Sequence, residues 1–189
     1  MVMILIYALG FPLGIWLGYI GWPPAVLVGE LLLQEMEEFL TPIFPPPSSS
    51  PGQVNAIALI LSILFMILFI FAWNLLMGSL VTMTLAGIVF IAPPALSVLR
   101  VFEVGAVYGL NLEILLSRPV PSLICMVVMI SLELGSYAIA AVGGIGIGWS
   151  LIKGESLSAA FRDALRLYAI VVPMLVAGAV IEVASILLA

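Results

Sequence analysis

Four ionisable residues, Arg100, Glu103, Glu133 and Glu182, lie within apolar sequence long enough to cross a bilayer. A charged side chain at the bilayer centre costs at least about 2.5–3.5 kcal/mol. Leucine would fill those positions without that cost. These residues are therefore expected to pair with each other, to face water, or to serve a function. Arg100 and Glu103 are one helical turn apart and spaced to pair directly. Glu133 and Glu182 sit deep in the last two apolar stretches, so one positive charge faces three carboxylates. Two chemistries fit that imbalance: a proton or cation pathway, or a polar lock that fixes the register of neighbouring helices. Arg100 is the only basic residue expected inside the membrane and is thus the expected charged partner of Glu133. Glu133 is expected to face protein, within reach of the 95–116 segment.

The second pattern is steric. Gly10, Gly14 and Gly18 recur every four residues, as do Gly105 and Gly109, and Gly144 and Gly148. Such stripes let helix backbones approach closely in membranes. The approach is either within one bundle or between subunits, and spacing alone leaves both open.

Composition decides the class of protein. Hydrophobic residues make up 65% of the chain and charged residues 8%, against roughly 25% charged in soluble domains. A water-exposed surface cannot be assembled from this chain, and its solvent is the lipid bilayer. The net charge is −5 with five basic residues, which argues against nucleic acid, because phosphate binding needs clustered Lys and Arg. The chain has no His and one Cys, Cys125. That removes Ser-His and Cys-His catalysis, His-ligated metals and any intrachain disulfide. An aspartyl membrane protease needs two Asp residues, and Asp163 is the only one. No P-loop is present. The expectation is a protein that is not an enzyme and holds no cofactor.

These residues must be positioned by helices. The sequence predicts an all-α membrane bundle forming a single domain over 1–189. Val2–Trp22 is a first span of about 20 residues, with Trp16, Tyr19 and Trp22 as interfacial anchors. Pro23 and Pro24 restart the chain, and Ala25–Leu40 reads as a short amphipathic helix carrying Glu30, Glu35, Glu37 and Glu38. A Pro/Ser-rich loop follows, and 23–53 contains no Lys or Arg. Asn55–Trp73 and Leu75–Ala92 are the next spans, joined by a tight connection at Asn74 and Gly78. Ala95–Leu116 is apolar but polar-marked. Pro121–Trp149 and Leu167–Leu188 complete the set, linked by a basic connection at 150–166 with Lys153, Arg162 and Arg166. These three basic residues form the only cluster, which predicts a cytoplasmic face there and an external face for 23–53. Both assignments hold together if 95–116 enters and leaves by one face, giving five full crossings plus a re-entrant or half-helix segment. Six crossings is the alternative. In the favoured arrangement the N-terminus is cytoplasmic. Arg162 and Arg166, spaced i, i+4, meet anionic headgroups.

Glu133-Leu134 begins a stretch with Ala140 seven residues on, then Gly144 and Gly148 eleven and fifteen on. This run resembles the glutamate-led helix of the stage II sporulation protein M family, and the resemblance extends over about 74–189. Asn74 is similar to the family's Asn before a Gly-containing span, Gly105 and Gly109 to its later Gly-xxx-Gly, and Glu182 to a Glu near its end. The chain departs from the family where His-Gly often precedes the Glu, here Met129 and Ile130, and where Pro often follows it, here Gly135. The resemblance implies a multi-pass protein of a bacterial or archaeal cell membrane. It also implies a scaffold, since the sporulation member holds wall-degrading partners during engulfment. A scaffold or complex subunit that assembles as a homo-oligomer or with other membrane proteins is the expected function. A transporter or channel component using the carboxylates is the alternative.

Overall fold

The computed structural model describes residues 2–40 and 56–188, with side chains described for 5–34, 57 and 59–188. The Pro/Ser-rich loop lies outside the described residues, as do the side chains of Glu35, Glu37 and Glu38. Among the described residues every regular element is a helix. They are α1 (Val2–Tyr19), α2 (Pro23–Leu40), α3 (Ala56–Trp73), α4 (Ala92–Leu110), α5 (Leu112–Leu116), α6 (Val120–Lys153) and α7 (Leu157–Leu187). Between α3 and α4 the helix continues as a π segment, Asn74–Thr84, and a 3-10 turn, Leu85–Ile88.

Among the described residues three helical stretches are long and apolar enough to cross a bilayer: Leu59–Ile88, Val120–Lys153 and Leu157–Leu187. A fourth arises if α1 and α2 count as one broken span, for they meet at 98°. The expected break between spans at Asn74 and Gly78 is therefore corrected: one continuous helix replaces two. Asn and Gly read as breakers in the sequence, but here they serve packing. The Asn74 side chain is spent on α6, and Gly78 gives room to the Tyr137 ring, 2.5 Å from where a Cβ would stand. The helix widens into the π form rather than turning. The segment 95–116, expected as a re-entrant or half-helix segment, is helical and is not among the three long apolar stretches. Ala92–Leu110 is one helix opened by Pro93 and Pro94 in its first turn, where proline's missing N–H is tolerated. The chain reverses only after α5, at Ser117–Pro119.

Two glycines in left-handed conformation close the helix corners. At Gly21, φ is 70°. Its N–H bonds the Gly18 carbonyl at 3.0 Å, and that of Trp22 bonds Leu17 at 2.9 Å. Gly154, with φ 69°, repeats the pattern between α6 and α7. These are paired end-bonds of the Schellman type, which need an αL residue. Ser156 then caps α7 through the Ala159 N–H.

Contacts fix the directions. Gly14 lies against Gly105, and Gly18 against Ala106 and Gly109, so α1 runs parallel to α4. Asn74 meets Glu133, Gly87 meets Gly144 and Phe90 meets Trp149, so the α3–π helix runs parallel to α6. Gly143 packs on Ala164, and Ser122 bonds Ser185 at the other end, so α6 and α7 are antiparallel. The core forms where these helices meet, around Met83, Tyr137, Ala140, Ala141, Val171 and Leu175.

Candidate functional site

The polar centre is built on α6. Glu133 and Tyr137 are i, i+4 on that helix and so share a face. Both turn toward the start of the π segment. Asn74 donates its Nδ2 to Glu133 Oε1, and the Tyr137 hydroxyl donates to Asn74 Oδ1 at 2.7 Å. The Asn74 side chain thus acts as donor and acceptor at once, joining two α6 residues to the neighbouring helix. A buried amide needs such partners to offset its desolvation. The Glu133 stem packs beside Gly178 of α7, 3.5 Å from where a Cβ would stand there.

Arg100 approaches from α4. Its guanidinium pairs with Glu103 at 3.8 Å, both side chains about one-third exposed. It also interacts with the Tyr137 hydroxyl, and its charge acts on Glu133. Arg100 is thus the positive charge that acts on Glu133, though among the described contacts the two form no direct ion pair. A neutral amide supplies the hydrogen bond, and Arg100 acts from farther out. Glu182 on α7 is half-buried, and its charge also acts on Glu133. The four ionisable residues therefore converge on one region, with Glu182 on its α7 side. Among the described residues no group of three His, Cys, Asp or Glu is placed to hold a metal ion.

Further polar pairs tie the bundle above and below this centre. Thr84 shares a 2.8 Å contact with the Tyr168 hydroxyl of α7. The Tyr7 hydroxyl of α1 donates to Ser97 Oγ of α4 at 3.3 Å, and Ser97 in turn contacts Met83 Sδ. Ser122 and Ser185 each donate to the other's backbone carbonyl, at 3.0 and 3.2 Å. Sequence reasoning did not assign Asn74 or Tyr137 to the centre. The available signal was an amide placed inside an uninterrupted apolar stretch.

The glycine stripes are occupied within the chain. A Cβ on Gly14 would stand 2.6 Å from the Phe102 carbonyl oxygen, and one on Gly105 2.5 Å from that of Phe11. Gly18 and Gly109 meet the Ala106 and Ile15 carbonyls in the same way, and Gly10 meets the Val101 side chain. Gly144 and Gly148 sit against the Met83 and Gly87 carbonyls. All seven belong to internal helix–helix seams.

The family model for stage II sporulation protein M matches residues 24–184. The chain belongs to that family. Neither a curated protein nor a solved structure matches it. The match covers α2 through most of α7, farther toward the N-terminus than the resemblance in 74–189. In this member of the stage II sporulation protein M family, both Asn74 and Glu133 fall inside the matched residues. So do Gly144 and Gly148, which pack against the 3-10 turn and its flanks.

Proposed function

We propose that this protein is a non-enzymatic membrane scaffold or a subunit of a membrane complex. The observation that carries the reading is the bridging of Glu133 and Tyr137 by Asn74. The intramembrane polar groups are spent on holding helices to one another, which favours a rigid framework over a moving one. The filled glycine seams support the same view. The bundle's outer surface remains apolar, with Leu61, Leu64, Phe65 and Leu68 of α3 exposed, available to lipid or to partner helices.

The proposed setting is a bacterial or archaeal cell membrane. Five helices would cross it: α1, α3 with its π extension, α4, α6 and α7, alternating in direction. The α6–α7 corner with Lys153, Arg162 and Arg166 would be cytoplasmic, as would the N-terminus. By family analogy the partners would be other envelope proteins, wall-remodelling enzymes among them.

Crosslinking in native membranes followed by mass measurement tests the reading. A stable oligomer or a recurring partner is the expected result. A detergent-stable monomer that co-purifies with nothing would overturn it. One observation favours a second reading, a cation or proton pathway: the Glu182 charge on α7 acts on the buried Glu133 of α6. Liposome flux that disappears in Glu133→Gln would support that alternative.

A further inference from the structure

A cavity of about 580 Å³ lies between α1, α4–α5 and α6, within the roughly 300–1,000 Å³ typical of ligand sites. Its lining is apolar apart from a few hydroxyls. Phe11 comes from α1, Tyr108 and Leu116 from α4 and α5, and Leu123, Val127 and Ile130 from α6. It is a groove rather than a sealed void. Leu116 and Val127 at its mouth are 69% and 59% exposed, while Ile130 at its floor is 8% exposed. Along α6 it extends from Leu123 to Ala138, about 22 Å at the helical rise. That is enough to accommodate the roughly 15 Å depth of one leaflet.

A basic residue stands beside one end of the groove. Leu116 and Leu123 line that end, and Arg118 lies between them in the chain, at the turn into α6. Its charge reaches the Tyr108 hydroxyl on the groove wall. Among the described residues Arg118 forms no salt bridge. A cation beside one end and an apolar trough running inward match one chemistry, an anionic headgroup followed by a long hydrocarbon tail.

We infer that this groove binds one tail of a phosphate-bearing membrane lipid, with the headgroup against Arg118. The inference needs α6 to span the membrane and is independent of the scaffold reading.

The full-length protein in nanodiscs tests it with phosphatidylglycerol carrying a mid-chain diazirine. After illumination, label concentrates on Phe11, Val127 and Ile130 above Ile124, which is exposed on α6 outside the groove. Arg118→Gln lowers groove labelling roughly fivefold, as expected for one basic residue at an anionic interface. A diacylglycerol with the same diazirine labels the groove weakly and is indifferent to Arg118→Gln. Val127→Trp blocks the mouth and reduces labelling of Phe11 to the level of Ile124. If that variant fails to fold, Leu116→Trp at the exposed end replaces it. Equal labelling at Ile124 and in the groove would overturn the inference. So would insensitivity to Arg118→Gln, or groove crosslinks to a second copy of the chain.

Discussion

Asn74 donates its side-chain amide to Glu133 and accepts a hydrogen bond from Tyr137 on the same face of α6. One residue therefore joins the π segment to both. Asn74→Leu leaves a carboxyl and a hydroxyl without their partner, and each buried unsatisfied group costs about 1–3 kcal/mol. Interhelical hydrogen bonds in membranes average less, about 0.6 kcal/mol with a maximum near 1.7. A loss of about 1–2 kcal/mol is expected in a reversible unfolding titration. In the cycle Asn74→Leu, Tyr137→Phe, the two losses should fall short of additivity by at least about 0.5 kcal/mol. Strict additivity would show that the bond carries no coupling.

The glycine seams predict a sharp contrast. Gly105→Leu drives a side chain into the Phe11 carbonyl, so α1 and α4 must separate. Overpacking of this kind costs about 1–3 kcal/mol. Gly146 has open space where its Cβ would stand. Gly146→Ala in mid-helix should be neutral or stabilise by up to about 1 kcal/mol. Thermal melts of both variants check the pair, and similar melting temperatures would contradict the seam.

Much of this arrangement was legible in the sequence, for physical reasons. Glycines at four-residue spacing and apolar runs announce close-packed membrane helices without any tertiary information. The charged residues announced a shared polar centre because isolated charges in hydrocarbon are too costly. What escaped was the course of the chain at Asn74. Asn and Gly favour turns when solvated, and only the neighbouring Glu133, Tyr137 and Gly144 make a continuous helix preferable. The partner of Glu133 escaped for a related reason. Charge counting points to Arg100, but an amide supplies the bond directly.

Ser79 offers a test of the π segment. Its hydroxyl is fully buried and has no hydrogen-bond partner among the described residues. Burial of an unpaired hydroxyl costs about 1–3 kcal/mol in mutational data. Ser79→Ala removes the group without creating a large cavity. Stability should rise by about 1 kcal/mol, read as a higher melting temperature. A fall would mean that the hydroxyl finds a partner in the folded protein.

The orientation of the bundle gives the last prediction. Gly29 of α2 packs against Ala106 and Leu110, at the end of α4. The α6–α7 corner lies at the opposite end, where the Phe90 ring just before α4 packs at a tilt on Trp149 and Lys153 sits over the same Trp149 ring at 5.1 Å. Glu30 and Glu155, both exposed, thus mark opposite ends of α4. Lys153, Arg162 and Arg166 crowd one end, and basic residues are retained on the cytoplasmic side. Cys125 is the chain's only cysteine, so Cys125→Ser gives a clean background for labelling. In intact cells a membrane-impermeant maleimide should modify Glu30→Cys and spare Glu155→Cys until the membrane is opened. The reverse pattern would invert the topology. Labelling of both from outside would show that α4 and its neighbours do not separate the two faces of a membrane.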